Sequence, residues 1–264
     1  MEIDATKALF ADSESNAHYV ALEHSRSAYS KLLNSTKNPF KIILIYGRPG
    51  SGKSYLMQMF YDNKKAELPI FLFKEPTFER IRSLRDIFVE MTGETLPDGL
   101  SFEQLLKLFK EKIQKEIYIL LDEAQLYDEA ALEWIRILSN SPLFKFIISV
   151  HKLDKEDILA KAHFKTRTFE TIELAYLSRR EVAQYIEKKL LMGNDLELLS
   201  LFSKNNYRLI HKLTQGNLRD INRLMIRTLE ILEHRLDRAR TFFGNKLKNK
   251  YIEMAALDLK MHHG

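Results

Sequence analysis

Short apolar runs alternate with longer amphipathic segments through the middle of the chain, from about residue 39 to residue 174. The short runs have the length of buried strands, whereas the segments between them show the spacing of helices with one buried face. This alternation is typical of a parallel sheet with helices on both faces, because each crossover between parallel strands needs a long connection. Strands are predicted at Lys41–Tyr46, Ile70–Phe73, Tyr118–Leu121, Phe144–Val150 and Thr168–Glu173.

Helical patterns separate these strands and fill the rest of the chain. Between the strands, helices are predicted after Lys53 and at Thr77–Met91, Phe102–Lys115 and Glu129–Leu138. After Leu174 the strand pattern stops, and helices are predicted at Arg179–Leu191, Asp195–Lys204, Tyr207–Thr214, Leu218–Arg240 and Leu247–Leu259. Ser178 followed by Glu181 is a capping-box pattern that opens the first of them. The fold class is therefore α/β, a five-stranded parallel sheet followed by a small all-helical domain.

Composition adds expectations about the environment of the protein. A chain of 264 residues can bury a large core, and the absence of cysteine excludes a disulfide framework and thiolate catalysis. The longest apolar stretches are far shorter than the roughly 20 residues that cross a bilayer. The first residues, with Glu2 and Asp4, do not resemble a secretory signal. We therefore expect a cytoplasmic protein without a membrane span of its own.

Charge leaves two interpretations open. The net charge is +5, and the stretch Glu233–Ile252 holds six basic side chains against two acidic ones, which is +4. Such a stretch is usually a solvated helical face, but it also fits a surface that binds nucleic acid or anionic lipid.

A glycine-rich motif follows the first predicted strand. Residues Gly47-Arg48-Pro49-Gly50-Ser51-Gly52-Lys53-Ser54 fit the pattern G-x-x-x-x-G-K-[S/T], and a helical pattern follows them. The glycines let backbone N–H groups turn toward phosphates, and the helix adds its N-terminal partial charge. Lys53 is expected to bind the β- and γ-phosphates of ATP, and the Ser54 hydroxyl to bind Mg²⁺. The strand and helix in the required places favour this interpretation over a chance match.

A second motif ends the third predicted strand. The run from Ile117 to Leu121 is followed by Asp122 and Glu123. Asp122 is expected to hold Mg²⁺, and Glu123 to act as the general base that activates the attacking water. Gln125 is equally consistent with a contact near the γ-phosphate, a contact with a neighbouring subunit, or an ordinary loop position.

Three further positions are candidates for nucleotide sensing. If the strand Phe144–Val150 lies between the first and third strands, its end faces the water near the phosphate. A polar residue at that end would sense the nucleotide, and His151 is preferred there over Ser149. The alternative is an ordinary surface residue whose hydrogen bonds are satisfied. Arg219, after Gly216-Asn217-Leu218, lies in the first turn of a predicted helix. This arrangement resembles the sensor 2 motif of AAA+ lids, and the resemblance implies that Arg219 binds the γ-phosphate. The alternative for Arg219 is a surface ion pair.

The order of these motifs resembles the AAA+ ATPases of the general secretion pathway A group (ExeA-like and MshM-like). The resemblance is carried by Glu23-His24-Ser25-Arg26 and Leu32-Leu33, Leu121 to Gln125, Ala131-Leu132-Glu133, Ile135 to Asn140, Leu174 to Ser178 with Glu181 and Tyr185-Ile186, and Gly216 to Arg219. It implies a P-loop NTPase core at 36–176, an all-helical lid at 177–264 and an N-terminal helical linker at 1–35. It also implies that Arg167 is an arginine finger directed at the next subunit's nucleotide.

The chain departs from this group in two ways. Val150-His151-Lys152-Leu153-Asp154 stands where the group commonly has Gly-Gln-Pro-Glu-Leu, which leaves the sensor at this strand open between His151 and Ser149. The transmembrane helix and peptidoglycan-binding region of longer members are not found, so we expect any link to the envelope to run through a partner.

The resemblance implies a homo-oligomeric ATPase that uses ATP and Mg²⁺ to assemble or remodel a bacterial envelope machine, such as a secretion, pilus or DNA-uptake apparatus. Two alternatives remain. One is a DNA-binding ATPase like the MuB and TniB transposition regulators, slightly favoured by the basic stretch. The other is a nucleotide-gated switch with little turnover, against which Glu123 argues. The adenine pocket is placed near Tyr19 and Val20 from chain position alone.

Overall fold

A computed structural model of the chain describes residues 3–11, 20–151, 167–236 and 246–261. The contacts divide the chain into two compact units. The first unit consists of Met1–Arg26, Pro49–Gly52 and Ala175–Gly264, and the second of Ser27–Arg48 and Lys53–Leu174. Four residues of the glycine-rich loop therefore group with the C-terminal helices. The division into domains at residues 35 and 176 stays a prediction.

The elements follow the predicted order. The strands are β1 (Ile42–Gly47), β2 (Ile70–Phe73), β3 (Ile117–Leu121), β4 (Phe144–His151) and β5 (Thr168–Leu174). The helices are α1 (Ile3–Phe10), α2 (Glu23–Ser35), α3 (Lys53–Lys64), α4 (Arg80–Thr92), α5 (Phe102–Lys112), α6 (Glu129–Leu138), α7 (Arg179–Met192), α8 (Leu196–Leu201), α9 (Lys204–Thr214), α10 (Leu218–Leu236) and α11 (Asn249–Asp258). The predicted strands are confirmed, with ends that differ by one residue.

The second unit is built on a parallel sheet with the strand order β2-β3-β4-β1-β5. Strand β4 lies between β1 and β3, as the sensor prediction required. Gly47 at the end of β1 pairs with His151 at the end of β4, and Leu121 of β3 pairs with Ile148 of β4. The carboxyl ends of these three strands therefore meet at one edge of the sheet.

The three central strands β1, β3 and β4 are buried on both faces, which explains why they read as continuous apolar runs. On one face Phe88 of α4 contacts Phe109 of α5, and Phe109 contacts Phe144, each ring pair at a centroid distance of 5.3 Å. On the other face Leu32 of α2 and Phe60 of α3 belong to a second buried cluster. This two-sided core fixes the strand ends that carry the candidate chemistry.

Two predicted helices in this unit were too long. Helix α4 begins at Arg80 rather than Thr77, because the Ser83 hydroxyl accepts a hydrogen bond from the Glu79 N–H and organises the chain just before the helix. Helix α5 ends at Lys112 rather than Lys115, because Ile113 adopts an extended backbone (φ −114°, ψ 116°) that directs its side chain into the core.

The first unit is all-helical in the residues that the structure describes. Helix α1 packs into it through the ring pair of Phe10 and Tyr185, whose centroids are 6.4 Å apart. The Thr6 hydroxyl donates to Asp195 at 3.0 Å, and Lys7 donates to Glu233 at 2.8 Å. The N-terminal helix is therefore part of this unit's core.

Two further helix predictions need correction in this unit. The segment Asp195–Lys204 is not one helix, since α8 covers only Leu196–Leu201. Helix α9 then begins at Lys204 rather than Tyr207, because Ser203 caps it: the Ser203 hydroxyl accepts from the Asn206 N–H while the Asn206 side chain accepts from the Ser203 N–H. The last described helix begins at Asn249 and ends at Asp258, inside the predicted Leu247–Leu259.

Candidate functional site

The glycine-rich loop connects β1 to α3, as its motif requires. Gly50 and Gly52 have φ angles of +77° and +96°, a region in which side chains with a Cβ are strained. Lys53, the first residue of α3, is 4% exposed, and its ammonium donates to the carbonyls of Gly47 at 3.1 Å and Arg48 at 3.4 Å. A buried cation at the start of a helix produces a strongly positive local field.

These groups fit a phosphate ligand. The Ser51 hydroxyl is buried and has no hydrogen-bond partner among the described residues. Such a group is costly unless it is satisfied. Arg48, Pro49 and Ser54 are exposed, so their side chains are accessible to a ligand. The residues at the amino end of α3 therefore provide a cation, a helix N-terminus and hydroxyl groups for an anion.

The acidic cluster follows β3 in the second unit. Asp122 is 4% exposed, and its Oδ1 accepts hydrogen bonds from the Ser149 hydroxyl and from the Glu123 N–H at 3.0 Å. Glu123 has a left-handed backbone (φ 52°, ψ 43°). This conformation is uncommon for a residue with a side chain and occurs often at functional sites. The regular strand therefore ends before Glu123, and the Glu123 side chain does not continue the alternation of β3.

Two neighbouring side chains hold the Glu123 carboxylate. His151 Nε2 lies 2.8 Å from Glu123 Oε2, and the Gln125 amide donates to the same oxygen. The Gln125 carbonyl accepts from the His151 N–H at 3.3 Å. Ser149 contacts Asp122 and His151 contacts Glu123, so both sensor candidates belong to one cluster. Sequence analysis left the role of Gln125 open, because only the fold shows that it reaches Glu123.

Arg167 lies away from this cluster. It directly precedes β5, whose first residue, Thr168, pairs with Ile42 at the start of β1. Glu123 comes just after the carboxyl end of β3, whereas Arg167 comes just before the amino end of β5. The Arg167 guanidinium donates from Nε to the Asn140 side chain at 3.0 Å. The structure therefore does not bring Arg167 to this chain's own acidic cluster, and a role toward a neighbouring chain stays a prediction.

Arg219 lies in the first turn of α10, in the first unit, and its side chain is exposed. The Asn217 Oδ1 atom caps this helix, since it accepts from the N–H groups of Arg219 at 3.0 Å and Asp220 at 3.3 Å. Gly216 precedes the cap with a φ of +82°. The predicted helix start after a Gly-Asn break is confirmed, and the γ-phosphate contact of Arg219 stays a prediction.

Two residues that sequence analysis cited only as parts of motifs also contact the glycine-rich loop inside the first unit. The hydroxyl of Tyr176 and the amide of Asn217 both donate to the Pro49 carbonyl, at 3.0 Å and 3.2 Å. Asn217 follows Pro49 by 168 positions in the chain. No local pattern could have indicated a contact over this separation.

Some predictions lie outside the described residues. Tyr19, proposed for the adenine pocket, is one of them, and its neighbour Val20 is 5% exposed in the core of the first unit. The basic stretch Glu233–Ile252 includes residues 237–245, which are not described. Among the helices that the structure describes, none is long and apolar enough to cross a membrane.

A family model described as an AAA domain matches residues 38–159. Comparison with curated proteins finds no match. Solved structures are similar over most of the chain. For Cdc6p from Pyrobaculum aerophilum the TM-score is 0.65 at 14% identity, covering 96% of this chain and 70% of that chain. For the Aeropyrum pernix ORC1 protein in complex with DNA the TM-score is 0.64 at 14% identity, covering 96% of this chain and 69% of that chain.

The ADPNP–ADP complexes of the Aeropyrum pernix ORC2 protein give a TM-score of 0.58 at 15% identity, covering 95% of this chain and 71% of that chain. Identities this low show a common fold, which agrees with the strand order and the position of the glycine-rich loop described above. The chain therefore has the P-loop AAA+ fold, and its residues 38–159 match an AAA domain.

Proposed function

We propose that the protein is an ATPase that binds ATP with Mg²⁺ and hydrolyses it as a homo-oligomer. The observation that carries the proposal is the carboxyl edge of the second unit's sheet. There a buried Asp122 is followed by Glu123, which is turned out of the strand, and the first residue of α3 is the buried Lys53. The AAA domain match over the same residues and the similarity to ORC2 in its ADPNP–ADP complexes support it.

Each group has a role that its chemistry suits. The loop from Gly47 to Ser54 binds the phosphates through N–H groups and the Lys53 ammonium. The Ser54 hydroxyl and the Asp122 carboxylate are hard oxygen ligands of the kind that Mg²⁺ prefers, and they would hold the ion. Bound Mg²⁺ would neutralise charge on the phosphates. Glu123 accepts the proton of the attacking water, and His151 and Gln125 fix its direction.

The proposal extends to residues beyond this cluster. Arg219 binds the γ-phosphate and reports it to the helical unit, because its fork of donors suits phosphate oxygens. Arg167 acts on the nucleotide of the next chain in an oligomer. The process that ATP drives is the assembly or remodelling of a bacterial envelope machine, which the protein reaches from the cytoplasm through a partner at the inner membrane. The resemblance of this chain's motif order to that of the general secretion pathway A group supports the proposed process.

A second candidate is a nucleotide-dependent DNA-binding ATPase of the MuB and TniB type. The basic stretch Glu233–Ile252 favours it, and a protein of similar fold, ORC1, has been solved in complex with DNA. Contacts with DNA phosphates weaken steeply as salt rises, so DNA binding with a strong salt dependence would support this candidate.

The test is ATP turnover measured over a series of protein concentrations. We expect turnover per chain to rise with concentration. Glu123→Gln should lower it by about 100-fold or more, because a general base contributes about that factor, while ATP binding is retained. Arg167→Ala should lower it by about 1,000-fold. Glu103→Gln and Arg82→Ala, which change exposed side chains of the second unit, should leave it unchanged.

Each result has a clear consequence. Turnover that is independent of concentration and unaffected by Arg167→Ala would refute the action between subunits. Full turnover by Glu123→Gln would refute the assigned base. A parallel series with duplex DNA separates the two candidates, since stimulation that disappears at high salt favours the DNA-binding ATPase.

A further inference from the structure

Two neighbouring carbonyl groups of the glycine-rich loop are held by groups of the helical first unit. The Pro49 carbonyl accepts from the Tyr176 hydroxyl and from the Asn217 amide. The Asn217 amide also lies 3.2 Å from the Tyr176 oxygen, so the two side chains support each other. The Gly50 carbonyl accepts from the Leu218 N–H at 3.0 Å. All five residues belong to the first unit.

Asn217 has two roles through the two ends of its amide. Its oxygen caps α10, whereas its nitrogen binds the loop. The contact is close: a Cβ added to Gly50 would lie 2.0 Å from the Asn217 oxygen. The start of α10 and the loop backbone are therefore held in one geometry by one side chain.

This arrangement determines where two N–H groups of the loop point. In a trans peptide unit the C=O of one residue and the N–H of the next point in opposite directions. The described residues contain no cis peptide bond. Fixing the carbonyls of Pro49 and Gly50 toward Asn217 and Leu218 therefore directs the N–H groups of Gly50 and Ser51 to the other side of the loop. In a loop of this type, backbone N–H groups that converge on one side bind phosphate oxygens.

We infer that Asn217 and Tyr176 are positioning residues of the phosphate-binding loop. They orient the N–H groups of Gly50 and Ser51 before a nucleoside di- or triphosphate binds, so that binding requires little reorganisation of the backbone. The inference rests on the proposed function, because it assumes that this loop binds nucleotide phosphates. It adds two residues to the site that touch the loop and not the ligand.

The discriminating variant is Asn217→Asp. An aspartate keeps an oxygen that caps α10 but replaces the amide donor by an acceptor that repels the Pro49 carbonyl. The matched control is Asn222→Asp, which makes the same change of charge on the same helix. Asn222 accepts a hydrogen bond from the Tyr185 hydroxyl at 2.8 Å, and an aspartate retains that acceptor. Tyr176→Phe and Tyr185→Phe form a second matched pair, each losing one hydroxyl.

The measurement is equilibrium binding of a fluorescent ADP with Mg²⁺, with unlabelled ADP and AMP as competitors and thermal melting in parallel. We expect Asn217→Asp to weaken ADP binding about tenfold or more and Tyr176→Phe about threefold, since each loses hydrogen bonding to the loop. Both control variants should stay within about twofold of the unsubstituted chain. AMP lacks the β-phosphate, so its affinity should change much less than that of ADP.

Three outcomes would overturn the inference. The first is Asn217→Asp binding ADP as tightly as Asn222→Asp, and the second is an equal loss for AMP and ADP, which would indicate a general structural defect. If Asn217→Asp does not fold, Tyr176→Phe decides, and unchanged ADP binding by that variant is the third. Failure of the unsubstituted chain to bind ADP would refute the proposed function and the inference with it, whereas the first three outcomes leave the proposed function intact.

Discussion

Lys189 is buried in the first unit, and we predict that it makes the unit's stability depend on pH. Its side chain is 5% exposed, its ammonium donates to the Leu9 carbonyl at 2.5 Å, and it lies 5.6 Å from the centre of the Tyr185 ring. Burial lowers the pKa of Lys189 from 10.5 to about 8, because the charged form is poorly solvated there. The folded state therefore releases this proton more readily than the unfolded state.

The size of the effect follows from these two pKa values. Above about pH 10.5 the lysine is neutral in both states, so its ionisation does not lower the free energy of unfolding. As the pH falls from there to about 8, the unfolded chain binds a proton that the folded chain does not, so the free energy of unfolding decreases. The total decrease is about 3 kcal/mol, at about 1.4 kcal/mol for each unit of pKa. Below about pH 8 both states are protonated and the cost is complete.

The test is Lys189→Met, which removes the titrating group and fills a similar volume. At neutral pH the variant gains about 3 kcal/mol from the lost charge but leaves the Leu9 carbonyl without this donor, at a cost of about 1–3 kcal/mol. The change with pH is therefore the informative quantity. From about pH 7 to about pH 10.5, the free energy of unfolding of the unsubstituted chain should rise by about 3 kcal/mol relative to the variant.

Urea unfolding followed by far-ultraviolet circular dichroism is the appropriate assay, because the single tryptophan, Trp134, lies in the second unit. Lys212→Met is the control, since Lys212 is exposed in the first unit and its loss should not alter the pH dependence. A constant difference between the unsubstituted chain and Lys189→Met across this pH range would refute the reasoning.

Two further predictions concern the backbone of the first unit and its capping. Gly216→Ala should destabilise the protein by about 1–3 kcal/mol or more, because its Cβ would meet the Leu177 carbonyl at 2.0 Å in addition to the strain of a φ of +82°. Gly99 has a similar φ of +76°, and a Cβ added to it would meet no atom within 4 Å. Equal denaturation midpoints for Gly216→Ala and Gly99→Ala would therefore contradict the steric argument. Ser178→Ala should cost about 1 kcal/mol, because Ser178 and Glu181 form the capping box of α7; Ser178→Thr should restore most of it, and a neutral Ser178→Ala in the same unfolding assay would contradict this role.

The sequence by itself determined the features that depend on neighbours in the chain. All strands of the sheet were predicted to within one residue. Strands β1, β3 and β4 were recognisable because strands buried on both faces are continuous apolar runs. The glycine-rich loop was recognisable because its glycines and Lys53 occur at fixed spacing. The capping box of Ser178 was found for the same reason. The start of α9 was missed because its cap uses Asn206 in place of the usual glutamate or glutamine.

Only the tertiary structure decided the features that join distant parts of the chain. The position of β4 between β1 and β3 brings His151 to Glu123. At the level of sequence, this strand order was an assumption on which the sensor prediction depended. The left-handed backbone of Glu123, the burial of Lys189 and the contact of Asn217 with Pro49 have no counterpart in local periodicity. Each depends on groups that are far apart in sequence and become neighbours only when the cores are packed, because burial and hydrogen bonding are properties of the folded environment.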